Sequence, residues 1–192
     1  TPLTAILGFA QLMESGSPPP TPSQARSIAQ ILKAGWYLLG LINEVLDLSL
    51  IESGRLLLAM ESVSLPELMA ECQGLVEPQA IEHGVSVSFP RFDRPCLVQA
   101  DRRRLLQVLT NLLSNAIKYN HAGGTVAVTC RPRHPEVWRI SVRDSGPGLS
   151  PAQLAQLFEP FNRLGQEVGG EEGTGIGLVV CKRLVELMHG VI

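Results

Sequence analysis

The chain has 192 residues, 45% of them hydrophobic, and a formal net charge of −2. This composition is sufficient for a packed core and excludes a wholly disordered chain, while the small net charge argues against nucleic acid or an anionic membrane as a partner. The four cysteines are widely spaced, which argues against a zinc site and favours buried free thiols in a reducing cytoplasm. No uncharged apolar run approaches the roughly 20 residues of a membrane helix, so membrane attachment is expected only through flanking regions.

Residues 1–55 predict a hairpin of two helices. Apolar side chains three and four residues apart indicate a first helix that ends near Gly16, before a run of prolines. A second helix is predicted to begin after Pro22, with Ser23 as its cap, and to reach Ser53. Its near-heptad pattern gives an apolar surface that is too wide for one partner helix to cover. The pattern therefore predicts a homodimeric four-helix bundle. A hairpin packed on the rest of its own chain is the alternative.

Residues 56–192 mix helices and strands in the order of an α/β sandwich with a mixed sheet, so the whole chain is assigned to the α+β class. Asp101 is the expected cap of the second helix of this region. The final residues, 190–192, read as the first residues of a strand, so the C-terminal strands of this domain are expected to be truncated. Helices are predicted at 66–79, 101–119, within 149–157 and at 177–189, and strands at 83–89, 96–100, 125–130 and 137–143.

The helix predicted at 101–119 carries a polar row beside its leucine-rich surface. The members of this row are Asn111, Asn115, Lys118 and Tyr119. Spacings of four and three residues place them on one side of the helix. The amide oxygen of Asn115 suits magnesium, which prefers oxygen ligands and keeps waters and substrate phosphates, and Lys118 offers a positive charge. Taken alone, such a row is more typical of a solvated helix face.

A second pattern, Asp144-Ser-Gly146-Pro-Gly148, follows directly on a predicted strand. A carboxylate at the end of a strand can accept a hydrogen bond from the exocyclic amine of adenine, and glycines allow the backbone to approach a flat ring. An ordinary turn containing aspartate, proline and glycine is the alternative.

A third pattern, Gly173-Thr174-Gly175-Ile176-Gly177-Leu178, opens the last predicted helix. Backbone N–H groups at the start of a helix bind phosphate, and glycines leave them accessible. Before it lie Phe158-Glu-Pro-Phe161 and a glycine-rich stretch, which together suit a lid over a ligand. A surface loop with two core phenylalanines is the alternative.

In this order, the four segments resemble the N box, first glycine box, F box and second glycine box of two-component sensor histidine kinases, which have a GHKL-type ATP-binding catalytic domain. Residues 1–6 resemble the end of the family's H box, and residues 41–54 resemble the second helix of its dimerisation domain. The resemblance covers essentially the whole chain. It implies a dimerisation hairpin at 1–55 and an ATP-binding catalytic domain at 56–192.

The resemblance also implies a site for ATP and Mg²⁺. Asp144 would recognise adenine, Asn115 would hold the magnesium ion, and Lys118 would contact the phosphates or the ribose. The nucleotide contacts that the resemblance implies are Asn111, Asn115, Lys118, Tyr119, Asp144, Gly146, Gly148, Gly173, Thr174, Gly175, Ile176, Gly177 and Leu178.

Two further residues receive catalytic roles from the resemblance. Arg163, just after the F box, would touch the terminal phosphate, and Thr1 would help to position water for dephosphorylating a partner response regulator. The histidine that the family phosphorylates would lie four positions before Thr1. We therefore expect a truncated kinase core without its phospho-acceptor.

The implied function is transfer of the terminal phosphate of ATP to a histidine and then to an aspartate in the receiver domain of a response regulator. The core is expected in the cytoplasm, with any inner-membrane anchor in the missing flanks. Related ATP hydrolases carry a glutamate where this chain has Asn111, and asparagine is not a base, so hydrolysis is the weaker hypothesis. A degenerate kinase that only dimerises and docks partners is the other alternative, which magnesium-dependent nucleotide binding would distinguish.

Overall fold

The structure is a computed structural model that describes residues 2–134, 137–162 and 173–192. It divides into two compact units, Thr1–Gly54 and Arg55–Ile192. We call them the hairpin unit and the α/β unit and describe each by itself.

The hairpin unit consists of α1 (Pro2–Glu14) and α2 (Pro22–Glu52), as the apolar spacing predicted. The two helices approach closely at Gly35, where an added Cβ atom would lie 2.6 Å from Cδ2 of Leu7. Leu7 and Ile28 are buried between them.

The cap of α2 differs from the prediction. Thr21, and not Ser23, occupies this position, and its hydroxyl accepts a hydrogen bond from the Gln24 N–H. The Gln24 side chain in turn accepts one from the Thr21 N–H over 2.9 Å, which completes a capping box. Pro22 explains the difference: proline lacks an N–H and favours the first helical position, so the cap is the residue before it.

Most apolar side chains of α2 are exposed. The helix buries only Ile28 and Gly35, whereas Trp36 and Leu46 are 52% and 56% exposed. By length and composition, α2 is also the one helix among the described residues that could cross a membrane. This differs from the prediction, which rested on uncharged apolar runs, because isolated charges such as Lys33 interrupt the apolar residues of α2.

The described part of the α/β unit contains five strands and four helices. They are β1 (Met60–Ser64), α3 (Leu65–His83), β2 (Ser86–Ser88), β3 (Leu97–Asp101), α4 (Arg102–Lys118), β4 (Thr125–His134), β5 (Val137–Asp144), α5 (Pro151–Ala155) and α6 (Gly177–Leu187).

The strands form two ladders. β1 pairs antiparallel with β3, and the order β2-β4-β5 makes a three-stranded sheet in which β2 is parallel and β5 antiparallel to β4. The predicted α/β domain with a mixed sheet is therefore confirmed. The order of elements within it also matches the prediction, apart from the differences given below.

The core of the α/β unit lies between its helices and its sheet. Cys72 of α3, Leu113 and Ile117 of α4, and Val126 of β4 are each no more than 1% exposed and belong to one cluster. Burial of each aliphatic side chain of this size contributes about 1.5–3 kcal/mol. α4 contacts both α3 and α6 as well as the sheet, so it is fixed in place by core packing.

Side-chain spacing explains one strand that was not predicted in this unit and one residue that was wrongly placed. β1 was not predicted, since its apolar residues Met60 and Val63 are three apart and point to opposite faces of a strand. The spacing of the helix predicted at 66–79 placed both Leu75 and Val76 inward. Val76, four residues after the buried Cys72, is buried as predicted, whereas Leu75 is 57% exposed.

Three predictions about strands were also wrong. The strand expected at 125–130 continues to His134, because Arg131 and Pro132 still pair with β5. The strand expected at 83–89 is reduced to Ser86–Ser88, because α3 continues to His83 and ends on Gly84 in a left-handed conformation with φ of +63°. Residues 190–192 form no strand, although their sequence suggested one.

Candidate functional site

Three residues of the polar row predicted from the sequence lie on the C-terminal half of α4, and the fourth, Tyr119, caps its C-terminal end. All four side chains are half-buried. Nδ2 of Asn115 donates a hydrogen bond over 3.0 Å to Oδ1 of Asn111, one turn earlier. The amide oxygen of Asn115, which is the atom that a magnesium ion would bind, takes no part in this bond. Nζ of Lys118 lies 4.9 Å from the centre of the Tyr119 ring, a distance typical of a cation–π contact.

The second glycine box lies directly on this row. A Cβ atom placed on Gly177 would overlap the side-chain nitrogen of Asn111. A Cβ atom placed on Gly173 would lie 3.1 Å from Nζ of Lys118 and 3.3 Å from the hydroxyl oxygen of Tyr119. Glycine at position 177 therefore allows the start of α6 to approach α4 more closely than any other residue would. At Gly173 the neighbouring atoms are the ends of flexible side chains, so a larger residue would displace those ends.

The start of α6 follows the same box. Ile176, predicted as a nucleotide contact, precedes the first residue of α6 and its side chain is fully buried. Only its backbone can therefore face a ligand. Oγ1 of Thr174 accepts a hydrogen bond from the Ile176 N–H over 3.1 Å, and Leu178 is half-buried. The first N–H groups of a helix have no partner within the helix, and the helix dipole makes them favourable for an anion.

The first glycine box meets the C-terminal end of α4. Asp144 ends β5 with an exposed side chain, and its Oδ1 accepts a hydrogen bond from the Gly146 N–H over 2.8 Å. A Cβ atom on Gly146 would lie 2.8 Å from the carbonyl oxygen of Tyr119. Gly148 is exposed two residues further along the chain. The structure thus brings residues of both glycine boxes to the same end of α4.

Asn120 was not singled out from the sequence, yet it ties the end of α4 to the first glycine box. Its Oδ1 accepts hydrogen bonds from the Ser145 hydroxyl and the His121 N–H, over 3.1 and 3.0 Å. Its Nδ2 donates to the Thr125 carbonyl over 3.1 Å, and Ser145 Oγ accepts from the Thr125 N–H over 2.8 Å. An asparagine directly after a helix is a turn signal, but the partner that links it to the first glycine box, Ser145, is 25 residues away, so that signal could not reveal this role.

The F box contacts the second glycine box. The Phe161 N–H donates a hydrogen bond to the Gly175 carbonyl over 3.1 Å, and a Cβ atom on Gly175 would lie 2.8 Å from the Phe161 carbonyl carbon. Gly175 has a φ of +70°, which glycine adopts without steric cost. The predicted lid lies mostly outside the described residues, and the two predicted catalytic residues, Thr1 and Arg163, lie outside them entirely.

Asp101 fixes the opposite end of α4. Its carboxylate accepts hydrogen bonds from the N–H groups of Arg104 and Ala59, over 3.0 and 2.9 Å, so the predicted cap is confirmed. Burial raises the pKa of this carboxyl, but the backbone hydrogen bonds and the charge of Arg104 outweigh burial and lower the pKa below its ordinary value. The ionised carboxylate also interacts favourably with the positive end of the helix dipole.

Two family models match the chain in tandem. Residues 1–54 match the His Kinase A (phospho-acceptor) domain. Residues 100–192 match the family of histidine kinase-, DNA gyrase B-, and HSP90-like ATPases. Together the two matches include both helices of the hairpin unit and the α4, F-box and glycine-box segments of the α/β unit.

Similar proteins and structures agree with these matches. The chain is 39% identical over 195 residues to sensor histidine kinase GacS of Pseudomonas protegens and 36% identical over 197 residues to sensor protein TorS of Escherichia coli. Each alignment covers 99% of this chain but only 21% and 20% of the relatives, so the chain spans about a fifth of their length. Full-length ShkA in complex with AMPPNP has a TM-score of 0.76 at 30% identity, over 98% of this chain and 38% of that chain. ThkA in complex with response regulator protein TrrA has a TM-score of 0.66 at 27% identity, over 99% and 52%.

Proposed function

The chain belongs to the family of two-component sensor histidine kinases, and we propose that it forms the Mg-ATP-binding core of such a kinase. In this proposal the complete protein transfers the terminal phosphate of ATP to a histidine on its dimerisation helix. The phosphate then passes to an aspartate in the receiver domain of a response regulator. Because both ATP and response regulators are found in the cytoplasm, we assign the kinase core to that compartment.

The close contact between the second glycine box and the polar row of α4 carries this proposal. Gly177 lies against Asn111, and Gly173 lies against Lys118 and Tyr119. The contact gathers a lysine ammonium, an amide oxygen and the first N–H groups of α6 on one side of the domain. These are the groups that neutralise and position phosphates, which is the main contribution of a protein to phosphoryl transfer.

Asp144 supplies the proposed specificity for adenine. Its Oδ1 is oriented by the Gly146 N–H, and its second oxygen is not used in that bond. An ionised carboxylate only accepts hydrogen bonds, so it can pair with the exocyclic amine of adenine. Guanine carries an oxygen at the corresponding position and would leave the carboxylate facing another acceptor. Discrimination against GTP would therefore come from an unfavourable contact as well as a lost hydrogen bond.

The polar row fits a magnesium ion bound together with nucleotide phosphates. One protein oxygen, that of Asn115, is sufficient because Mg²⁺ usually keeps several waters and takes its remaining ligands from the substrate. The bond between Asn115 Nδ2 and Asn111 orients this oxygen away from Asn111. A bound magnesium ion would offset the negative charge of the phosphates, and Lys118 would add a further positive charge beside Gly173.

The alternative of ATP hydrolysis receives no support from the N box. Hydrolysis by a related fold requires a group that takes a proton from water. Asn111 is a neutral amide, and its oxygen already accepts a hydrogen bond from Asn115. Transfer to a protein acceptor does not need such a base on α4, because neutral imidazole is itself a nucleophile.

We also propose that the chain forms a homodimer through residues 1–55. The support is the extent of exposed apolar surface on the hairpin unit, where Phe9, Leu12 and Leu46 are all more than half exposed. Monomeric soluble proteins rarely leave so many large apolar side chains in contact with water, and a second hairpin would cover them in a four-helix bundle.

Light scattering coupled to gel filtration tests the dimer. We expect the native chain to elute as a dimer and Leu46→Glu to elute as a monomer, because the new carboxylate would be buried without a partner. Gln30→Glu is the matched control, since Gln30 is exposed on the same helix and the variant gains the same charge without losing an apolar side chain. A monomeric native chain would contradict the proposal and favour a hairpin covered in another way.

Calorimetric titration of a non-hydrolysable ATP analogue, with and without Mg²⁺, tests the nucleotide site. We expect Asp144→Asn to weaken binding by about 10- to 150-fold, since a hydrogen bond to a charged group contributes roughly 1.5–3 kcal/mol. Asn115→Ala should abolish the magnesium dependence. Asp93→Asn, at an exposed loop position, is the matched control and should bind as tightly as the native chain. A native chain that binds no nucleotide, or an Asp144→Asn variant with native affinity, would refute the proposed site.

A further inference from the structure

The two phenylalanines of the F box are held by different parts of the segment that starts at the second glycine box. Phe161 is held through its backbone, by the hydrogen bond to Gly175. Phe158 is held through its ring, because Nζ of Lys182 on α6 lies 4.9 Å from the ring centre and both residues are half-buried. We call this pair of contacts the F-box clasp. No motif of the sequence analysis included Lys182.

The backbone conformation at Phe161 is one that its surroundings must hold in place. Phe161 has a φ of +63°, a left-handed conformation that is unfavourable for a residue with a Cβ atom. Such residues persist only where the surroundings hold them, and they cluster at functional sites. The Phe161 side chain is 66% exposed, so its own burial supplies little of the restraint. The restraints are the backbone bond to Gly175 and the side chain of the next residue, Asn162, whose Nδ2 donates to Oε2 of Glu159 over 3.0 Å. Phe158 lies one residue before Glu159, so its position bears on the same turn.

We propose that Lys182 is a positioning residue for the nucleotide site. Its ammonium holds the Phe158 ring, which keeps Phe161 on Gly175 and so keeps the second glycine box on the polar row of α4. The inference rests on the proposed function, because the site that Lys182 would position is the phosphate side of that nucleotide pocket.

The chemistry of the contact requires a cation. The face of an aromatic ring carries partial negative charge, and a positive group over it is attracted more strongly when both are partly removed from water, as they are here. The neighbouring Arg183 is turned to a different partner, since its Nη1 lies 3.0 Å from Oε2 of Glu186. Two adjacent basic residues on α6 therefore have separate roles, which provides a matched control.

The test combines nucleotide affinity with a measurement that needs no nucleotide. Lys182→Met keeps the aliphatic stem and removes the charge, so we expect it to weaken binding of the Mg-bound ATP analogue by about two- to fivefold. Lys182→Arg should restore native affinity, and Arg183→Met should leave it unchanged. In the nucleotide-free chain, hydrogen exchange at the Phe161 amide should be faster in Lys182→Met than in the native chain and in Arg183→Met.

A double-mutant cycle with Phe158→Leu separates positioning from direct contact with phosphate. If Lys182 acts through the ring, its substitution should cause little further loss of affinity once the ring is absent. Additive losses, or unchanged exchange at the Phe161 amide in Lys182→Met, would overturn the inference. A native chain that binds no nucleotide would instead overturn the proposed function, and amide exchange would still decide whether Lys182 holds the F box.

Discussion

Replacing Gly177 by alanine tests whether the second glycine box must lie directly on the polar row of α4. The new methyl group would overlap the Asn111 side-chain nitrogen and would lie 3.1 and 3.2 Å from its Oδ1 and Cγ. Either Asn111 rotates, which breaks its 3.0 Å bond with Asn115, or the start of α6 moves away from α4. Both responses disturb the groups that we assign to magnesium and phosphate.

The magnitude follows from two opposing effects. Insertion of a methyl group into a well-packed contact costs about 1–3 kcal/mol. Alanine is a better helix former than glycine, which offsets up to about 1 kcal/mol of that cost because Gly177 is the first residue of α6. We therefore expect a net loss of about 0–3 kcal/mol in stability. Either response also displaces the groups assigned to magnesium and phosphate, and helix propensity does not offset that displacement. The Kd for the Mg-bound ATP analogue should therefore rise by about 5- to 150-fold.

Calorimetric titration and thermal unfolding of the same samples separate these effects. Gly74→Ala is the matched control, because Gly74 lies within α3 and an added Cβ atom would meet nothing within 4 Å. That variant should gain stability and keep native affinity. Higher stability and an unchanged Kd in Gly177→Ala, as in Gly74→Ala, would refute the close contact between Gly177 and Asn111. A Gly177→Ala, Asn111→Ala double variant should regain stability, since the obstructing amide is gone.

Three further predictions concern stability and reactivity. Asp101→Ala should lower the free energy of unfolding by about 2 kcal/mol at pH 7. Because the pKa of Asp101 is lowered in the folded chain, the stabilisation by its ionised form is complete above the unfolded pKa of about 4 and is lost as the pH falls through the folded pKa. A difference in urea unfolding between the variant and the native chain that did not narrow between pH 7 and pH 2 would contradict this account. Gly35→Ala should lower the unfolding temperature of the helices followed by circular dichroism, because its Cβ atom would crowd α1, whereas Gly40→Ala, with open space around it, should not. Burial raises the pKa of the Cys130 thiol to about 11, so its alkylation at pH 8 should be slow in the native chain and fast in urea, and equal rates would show that the thiol is accessible.

The helices of the fold could be predicted from sequence because their signals are local. The buried residues of α4 recur at three and four positions, and Asp101 marks its start with the side-chain type that a cap requires. β1 could not be predicted in this way. Its five residues bury only Val63, and the strand exists because β3, more than 30 residues later in the chain, pairs with it. A strand stabilised by a distant partner leaves little trace in its own sequence.

The candidate site was predictable in its parts but not in its assembly. Each motif alone was compatible with an ordinary turn or a solvated helix face, and only the resemblance to a family linked the motifs. The approach of Gly177 to Asn111 and of Gly173 to Lys118 depends on how α6 packs on α4, which no local pattern records. The role of Asn120 was missed for the same reason, since its partner Ser145 is 25 residues away.

Substitutions on the buried side of α4 and substitutions at the glycines beside its polar row should affect nucleotide binding differently. Val108, Leu109, Leu113 and Ile117 are buried and hold the helix in the core, so the polar row on its other side keeps its spacing without a ligand. Groups that are ordered by folding do not have to be ordered again on binding, which favours affinity. The glycine boxes, in contrast, lie against the row at glycine positions, Gly146, Gly173 and Gly177, where an added side chain would meet the row directly. It follows that substitutions on the core side of α4 should lower stability before they change affinity, whereas substitutions at the glycine contacts should lower affinity while most of the stability remains.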